Sequence, residues 1–315
     1  MYQKPTLSLW TGRTSENRAY LHEKVRLVDL LNLEKSEVVS SFALLGYAGD
    51  EGVRRNKGRI GAVNGPEAVR NALTKQANHL PRSCSFIDVG NIIGLDHDLE
   101  GAHEFLSSAV TKLLDQQHFP MLIGGGHDLS FAHYQGIRKF LNKGEKIGII
   151  NLDAHFDLRE KEERGNSGTP FYQIATELEE DFHYLCLGIQ RQANTPELFK
   201  TAKKFEVDYL FNHEFTVANW QAVSETLTRF MTKVDHIYLT VDLDGFSSSI
   251  APGVSAASPL GFSWDIAYKT IQSICNSEKL ISMDIVELNP TYDVDLSTAK
   301  LAAGIVHHVM DWLSD

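Results

Sequence analysis

The chain has a deficit of positive charge, few cysteines and no long apolar run. Its 30 lysines and arginines face 41 aspartates and glutamates, a formal net charge of −11. This balance argues against nucleic acid or a membrane surface as a partner, because both need a basic footprint. The cysteines Cys84, Cys186 and Cys275 are widely spaced, which indicates a reducing compartment and no thiolate metal site. Residues 1–18 show no apolar core with a cleavage site, so we predict a cytoplasmic protein.

Short apolar runs rich in β-branched residues alternate with longer amphipathic stretches. Most runs are continuously apolar, as expected for strands covered on both faces, and strands separated by helices predict a mainly parallel sheet. The sequence has no linker or repeat, so we predict a single domain over residues 1–315. The predicted strands are Phe42–Tyr47, Ser85–Val89, Pro120–Ile123, Lys146–Leu152, Phe182–Leu187, Val207–Leu210, His236–Val241 and Lys279–Ile285. The predicted helices are Pro66–Leu73, Leu99–Gln117, Leu129–Phe140, Gly168–Glu179, Thr195–Lys204, Trp220–Met231, Trp264–Asn276 and Ser297–Leu313.

Several predicted strands end in side chains that could carry chemistry. In an open parallel sheet, sites form beyond the carboxyl ends of the strands. Asp153, His155 and Asp157 follow the fourth predicted strand, and an extended chain would project all three to one side. Two carboxylates and an imidazole on one side are costly unless a cation neutralises them. The alternative is a solvated surface group without a function.

Two further strand ends add carboxylates and a histidine. Asp242 and Asp244 follow the seventh predicted strand, although such a pair alone is more typical of a helix cap or a solvated turn. The glycines at 124–126 precede His127 between a strand and a helix. They lack the spacing of a nucleotide-binding loop, so they predict either a tight turn that aims His127 into a neighbouring site or a structural histidine. The charged run 159–164 predicts a solvated segment.

Together, these strand ends supply four carboxylates, two imidazoles and no thiolate. This mixture suits a hard to borderline divalent ion such as Mn²⁺, and six ligands exceed what one open catalytic ion needs. We therefore predict two ions bridged by shared carboxylates, a site that makes hydroxide available near neutral pH. The predicted ligands are His127, Asp153, His155, Asp157, Asp242 and Asp244.

Four ordered motifs resemble the ureohydrolase family of arginases, agmatinases and formimidoylglutamases. They are residues 125–130 (GGHDLS), 153–157 (DAHFD), 242–244 (DLD) and 284–290 (DIVELNP). The resemblance spans nearly the whole chain. It implies a three-layer α/β/α sandwich with a central, mainly parallel eight-stranded sheet, two Mn²⁺ ions on the six ligands above, and self-association.

Within this family, the sequence most resembles the formimidoylglutamases, through residues 10–13, 50–59 and 187–195. Arginases and agmatinases carry a proton-shuttle histidine where this chain has Ser167. The resemblance therefore implies hydrolysis of a linear amidine C–N bond, from N-formimidoyl-L-glutamate and water to L-glutamate and formamide, in histidine degradation.

The expected reaction assigns roles to a few more side chains. Asp157 is the carboxylate expected to relay a proton to the departing amine. Glu287, just past the last predicted strand, would hold the amidinium-like nitrogen, although a solvated carboxylate is the alternative. The residues expected to contact the substrate are Arg191, Asn194, Glu287 and Ser167, with Arg54, Arg55 and Arg59 as substitutes for Arg191.

Two other functions stay open at this point. One is an agmatinase or another guanidino-acid amidinohydrolase that releases urea, which the absence of the shuttle histidine disfavours. The other is a metal-binding pseudoenzyme that acts as a scaffold, which the complete ligand set disfavours. Deacetylases with a related fold and a single zinc ion fit less well, because their histidine-pair motif is not evident.

Overall fold

The computed structural model describes residues 1–94, 97–178 and 181–314. Its ten strands within these residues are β1 (Tyr2–Gln3), β2 (Arg26–Leu27), β3 (Ser41–Ala48), β4 (Ser85–Ile93), β5 (Phe119–Gly124), β6 (Ile147–Leu152), β7 (His183–Ile189), β8 (Asp208–Phe211), β9 (His236–Asp242) and β10 (Leu280–Val286). They form one sheet in the order β1-β4-β3-β5-β10-β9-β6-β7-β8, with β2 also paired to β4. Among these pairings, that of β1 with β4 is antiparallel and the rest are parallel.

Helices cover both faces of the sheet. The α-helices of the described residues are α1 (Leu21–Lys24), α2 (Glu51–Arg55), α3 (Gly65–Leu73), α4 (Leu99–Asp115), α5 (Leu129–Phe140), α6 (Pro170–Leu178), α7 (Pro196–Lys204), α8 (Trp220–Met231), α9 (Trp264–Cys275) and α10 (Ser297–Ser314). Buried side chains of α3, α8, α9 and α10 belong to one hydrophobic core, and those of α4, α5, α6 and α7 belong to another. The predicted three-layer sandwich is therefore confirmed. No helix in the described part of the chain is long and apolar enough to cross a bilayer.

The strands supply both cores through their period of two residues. On β3, Phe42 and Leu44 belong to the core that contains α3, whereas Ala43 and Leu45 belong to the core that contains α4. Successive side chains of a strand point to opposite faces, so a continuously apolar run buries both of its faces. This explains why the central strands of the sequence lack an apolar–polar alternation.

The sheet has two more strands than the eight predicted. The predicted strands correspond to β3–β10, whereas β1 and β2 contain two residues each, too few to give a hydrophobic pattern. The predicted helices correspond to α3–α10. The helix predicted from residue 168 begins at Pro170, and the residue at its predicted end, Glu179, lies outside the described residues.

Candidate active site

The predicted ligands come together because four central strands end at one edge of the sheet. Strands β5, β10, β9 and β6 are consecutive neighbours. Asp153 directly follows β6, and Asp242 is the last residue of β9. His127 follows β5 after a short turn. Parallel neighbours present their carboxyl ends at the same edge, so three distant segments of the chain meet there.

His127 turns towards this edge because the glycines before it allow the backbone to pack closely. A Cβ atom on Gly125 would lie 1.6 Å from the Gly49 carbonyl oxygen. The Gly125 N–H donates a 2.8 Å hydrogen bond to the Tyr47 carbonyl oxygen. A residue with a side chain cannot take this position. The structure thus agrees with the interpretation of the glycines as a tight turn that directs His127 inward.

The first group of potential ligands surrounds Nδ1 of His127. This atom lies 2.9 Å from an Asp157 oxygen, 3.0 Å from an Asp242 oxygen and 3.4 Å from an Asp153 oxygen. It forms no hydrogen bond with the described residues. The other ring nitrogen, Nε2, pairs with Thr240 Oγ1 at 3.0 Å. A ring nitrogen that faces three carboxylate oxygens, with the second ring nitrogen held by an outer partner, is a metal-ligand arrangement.

The second group consists of Asp153, His155 and Asp244, whose ligand atoms lie within 4.8 Å of one another. His155 Nδ1 lies 3.4 Å from Asp153 Oδ1 and 3.3 Å from Asp244 Oδ1. That Asp244 oxygen is buried and forms no hydrogen bond with the described residues. Asp153 belongs to both groups and offers one oxygen to each. The arrangement therefore has the form of two cation sites with a shared carboxylate.

The segment after β6 does not stay extended as we expected. Asp157 has a φ of 46°, in the left-handed region that residues with a side chain seldom adopt. Glu287, directly after β10, has a φ of 66°. Such backbone conformations cost about 1–3 kcal/mol and persist where the surroundings enforce them, often at functional sites. Asp157 reaches His127 through this turn and not through strand alternation.

Burial and crowding shift the pKa values in both groups. Burial, followed by the charges of Asp244 and Asp153, raises the pKa of Asp242 well above its ordinary value. Burial opposes the charged form of His127, but the surrounding carboxylates overcome it and raise the pKa of this imidazole. Crowded, buried carboxylates with too few donors are unfavourable unless a cation neutralises them. The donor set therefore fits divalent ions.

Glu287 lies against the first group. Its Oε1 accepts a 2.9 Å hydrogen bond from the His127 backbone N–H, and its side chain is buried. Burial, followed by the charge of Asp244, raises the pKa of this carboxyl to about 8. A cavity of about 80 Å³ opens beside both groups. Its walls include Asn56, His155, Asp157, Arg159, Ser167 and Glu287.

The sequence of this chain is similar to those of known proteins. Residues 40–311 match the model of a family described as the arginase family. The chain belongs to the arginase family. A curated formimidoylglutamase of Geobacillus thermodenitrificans is 41% identical over 307 residues, which cover 96% of this chain and 95% of the relative. The predicted family is therefore confirmed.

Solved structures of arginase-family proteins share the fold. A formimidoylglutamase from Bacillus subtilis matches with a TM-score of 0.85 at 24% identity, over 96% of this chain and 94% of that one. A Trypanosoma cruzi formiminoglutamase with Mn²⁺ matches with a TM-score of 0.78 at 27% identity, over 91% of this chain and 98% of that one. The arginase-like α/β fold is thus confirmed, whereas the roles of individual residues stay predictions.

Three of the four predicted substrate-contacting residues line the cavity of this arginase-family chain: Glu287, described above, and the pair Ser167 and Asn194. Ser167 is nearly buried, and its Oγ accepts a 3.1 Å hydrogen bond from Asn56 Nδ2. Asn194 uses its side chain on the backbone: Oδ1 accepts from the Phe156 N–H at 3.0 Å, and Nδ2 donates to the Ala154 carbonyl at 2.9 Å. Asn194 therefore fixes the loop that carries the ligands. Ser167 is the residue of this pair that brings a hydroxyl group to the cavity wall.

The arginine expected to contact the substrate does not line the cavity. Arg191 is exposed in a short turn after β7 and is absent from the cavity wall, where Arg159 lies. Of the substitutes, Arg54 and Arg55 bind Glu51 at 2.6 Å and 2.8 Å. The charged run 159–164 predicts a solvated position for Arg159. The signal that identifies it as a wall residue is its position two residues after Asp157.

Proposed function

We propose that this chain is a formimidoylglutamase, which converts N-formimidoyl-L-glutamate and water to L-glutamate and formamide in histidine degradation. The observation that carries the proposal is the 41% identity to a curated formimidoylglutamase over 96% of the chain. The two donor groups that share Asp153 support it. Ser167 in the cavity wall, where arginases and agmatinases would carry a histidine, also favours an amidine over a guanidine substrate.

The six predicted ligands would hold two Mn²⁺ ions. His127, Asp157 and Asp242 would hold one, and His155 and Asp244 the other, with Asp153 shared by both. Bound divalent ions lower the pKa of water, so that hydroxide becomes available near neutral pH. The Trypanosoma cruzi relative solved with Mn²⁺ supports manganese as the metal.

Side chains of the cavity would orient the substrate and move protons. Glu287, ionised once bound cations offset the charge of Asp244 that helps to raise its pKa, would accept a charge-assisted hydrogen bond from the amidinium-like nitrogen. This contact would set the formimidoyl carbon above the ligand groups. Asp157, whose side chain is partly exposed to the cavity, would relay a proton to the departing amine of glutamate as the C–N bond breaks.

The carboxylates of the glutamate moiety need a cation, which Arg159 can supply. Its guanidinium can bind a carboxylate through two parallel hydrogen bonds. Asn56, which lines the same wall, would supply a neutral amide donor beside it. Arg159 takes the place of Arg191 in our proposal because Arg191 does not line the cavity.

We also propose the wider setting that the sequence predicts. The chain would be a single arginase-like domain over residues 1–315, in the cytoplasm, with a small-molecule substrate and no nucleic-acid or membrane partner. Contacts between α10 and α3 and the pairing of β1 with β4 support one domain, because segments near both ends join the same body. Self-association is expected from the family resemblance.

Product analysis tests the proposed reaction. Protein loaded with Mn²⁺ is offered formimidoylglutamate, agmatine and arginine separately, and the bound metal is counted after dialysis. We expect glutamate and formamide from the first substrate, no urea from the other two, and two ions per chain. Urea from a guanidino substrate would replace the proposed substrate but keep the site. Two bound ions with no turnover of any of the three would favour the scaffold.

A further inference from the structure

The loop between Asp157 and α6 brings two residues to the cavity beside the ligand groups. Arg159 and Ser167 both line this cavity, and both stand in the segment 158–169 that leads to α6. A separate cavity of about 620 Å³ lies between α2 and residues 159–164, so the charged first half of the loop does not pack on that helix. The position of the wall residues therefore depends on the contacts of the second half.

Backbone hydrogen bonds tie the two wall residues to each other and to α2. The Arg159 N–H donates to the Gly168 carbonyl oxygen at 2.9 Å, and the Ser167 N–H donates to the Gly52 carbonyl oxygen at 3.1 Å. The Arg159 side chain also lies against Gly168, where a Cβ atom would be 2.9 Å from Arg159 Cδ. A displacement of residues 165–168 would therefore move both wall residues.

Arg55 of α2 holds the second half of the loop through one hydrogen bond. Its Nη1 donates to the carbonyl oxygen of the buried Gly165 at 3.1 Å, two residues before Ser167. The Arg55 side chain is only 10% exposed, and it does not line the cavity beside the ligand groups. A hydrogen bond from a charged donor is stronger than one between neutral groups, and shielding from solvent reduces its screening by salt. Arg55 can thus fix the loop without touching the substrate.

Two carboxylates hold the guanidinium group of Arg55 in turn. Its Nη1 and Nη2 donate to the two oxygens of Glu100 at 2.7 Å and 3.0 Å, the paired geometry of an arginine with a carboxylate. Its Nε donates to a Glu51 oxygen at 2.8 Å, and Nη2 also donates to the His97 carbonyl oxygen at 3.3 Å. These bonds fix the plane of the guanidinium group, and Nη1 is thereby directed at the loop.

Arg54, the neighbour of Arg55 on α2, provides a contrast. It binds the same Glu51 carboxylate through Nε and Nη2, at 2.6 Å each, but half of its side chain is exposed. Within the described residues, its guanidinium group forms no hydrogen bond with the loop. Two adjacent arginines therefore share one carboxylate, and one of them reaches the loop.

We propose that Arg55 is a positioning residue that fixes Arg159 and Ser167 at the cavity wall through its hydrogen bond to the loop. The inference rests on the proposed function, in which Arg159 binds the carboxylates of the glutamate moiety. Residues that bind the substrate equally in the ground state and the transition state affect KM more than kcat. Loss of Arg55 should therefore weaken substrate binding and leave the metal ions in place.

Hydrogen exchange of the loop tests the positioning in the absence of substrate. Mass spectrometry follows a peptide that contains residues 159–168 in the Mn²⁺-loaded wild type and variants. Arg55→Gln should speed its exchange about tenfold, because local opening becomes easier. Glu100→Ala removes a mostly exposed partner of the guanidinium group; a smaller increase is expected, and it decides the question if Arg55→Gln does not fold. Arg54→Gln removes an ion pair with the same Glu51 carboxylate and should leave the exchange unchanged.

Steady-state kinetics test the link to the substrate. Arg55→Gln should raise KM for formimidoylglutamate about tenfold, with little change in kcat and with two ions still bound. In the double variant Arg55→Gln/Arg159→Gln, KM should rise by less than the product of the two separate effects, because Arg55 acts through the segment that carries Arg159. A general loss of stability would not produce this coupling.

The outcomes separate this inference from the proposed function. If the wild type converts formimidoylglutamate and Arg55→Gln leaves either KM or the loop exchange unchanged, Arg55 has no positioning role and the proposed function stands. Independent effects of Arg55→Gln and Arg159→Gln on KM, or the loss of bound metal from Arg55→Gln, would also overturn the inference. If the wild type does not convert formimidoylglutamate, the proposed function fails and the inference fails with it.

Discussion

Two buried histidines in the same layer of the molecule have opposite surroundings. His133 has a hydrogen-bond partner at each ring nitrogen, Asp284 and Ser282. His127 has a partner at Nε2, but its Nδ1 faces three carboxylate oxygens without a hydrogen bond. Both side chains are fully buried, so burial alone does not distinguish them. The difference is that the carboxylate beside His133 has hydrogen-bond donors within the chain, whereas the carboxylates around His127 Nδ1 lack donors and need a cation.

The comparison suggests how to separate a ligand site from a structural network. A buried carboxylate is tolerated when donors on neighbouring elements surround it. Around Asp284 the chain supplies an imidazole and a phenol, and one oxygen, Oδ1, is left without a hydrogen bond among the described residues. Around Asp242 it supplies other carboxylates, which raise the pKa of this group together with burial.

The largest effect is expected from the carboxylate that both ligand groups share. Asp153→Asn should abolish the binding of two ions and lower product formation by more than about 10³-fold, since metal ions contribute several kcal/mol to such reactions. Metal content after dialysis and turnover of formimidoylglutamate measure the change. Asp265→Asn, an exposed position on α9, is the matched control. Two retained ions in Asp153→Asn would contradict the shared-ligand arrangement.

Breaking the hydrogen bond between His133 and Asp284 should cost stability. His133→Leu leaves Asp284 buried without its imidazole, and removal of one partner of a buried pair costs about 3–5 kcal/mol. Urea unfolding in metal-free buffer measures the free energy of unfolding. The double variant His133→Leu/Asp284→Leu should recover part of the loss, because no uncompensated carboxylate remains. An equally unstable double variant would mean that packing, and not charge, makes His133 important.

A smaller effect is expected at the cavity wall. Arg159→Gln should raise KM for formimidoylglutamate by about 10–100-fold with little change in kcat, the equivalent of losing one hydrogen bond to a charged group, about 1.5–3 kcal/mol. Steady-state kinetics measure the split, with Arg229→Gln on α8 as the control. A larger rise in KM for Arg191→Gln than for Arg159→Gln would return the role to the arginine predicted from the sequence.

The smallest effect is expected from Glu51, a buried carboxylate paired with the half-exposed Arg54. Hydrogen bonds from Arg54, and further ones from Arg55 and His97, lower the pKa of Glu51 from 4.5 to about 2. A carboxyl whose pKa falls on folding stabilises the protein above its unfolded pKa and loses this contribution as the pH falls towards the folded pKa. Glu51→Gln should therefore be less stable than the wild type by about 1 kcal/mol at pH 7, after allowance for solvent screening.

The pH dependence provides the check on Glu51. The stability difference between wild type and Glu51→Gln, from thermal unfolding, should shrink as the pH is lowered from 4.5 towards 2. Glu197→Gln alters an exposed pair in which Lys200 Nζ lies 3.8 Å from the carboxylate, and it should show almost no difference at any pH. A constant difference for Glu51→Gln would indicate a packing effect.

The sequence predicted those site residues whose positions follow from the pattern of apolar strands. Asp153 and Asp242 were found because each ends a continuously apolar run, and parallel neighbours bring such ends together. Arg159 was missed because its neighbours in sequence are charged, and only the fold shows that the run begins at the cavity wall. The hydrogen bond between Tyr238 and Asp284 was missed for the opposite reason. Tyr238 stands in an apolar run like a core residue, and Asp284 is 46 residues away along the chain.

The short strands at one edge of the sheet should reduce aggregation of the protein at high concentration. The outer edge of β4 is paired with both β1 and β2, so part of its backbone donors and acceptors is already occupied. At the opposite edge, β8 has four residues. Long, unpaired edges are templates on which other chains can add a strand and aggregate. Strands β1 and β2, which are remote from the proposed chemistry, thus hinder the addition of a strand from another chain at this edge.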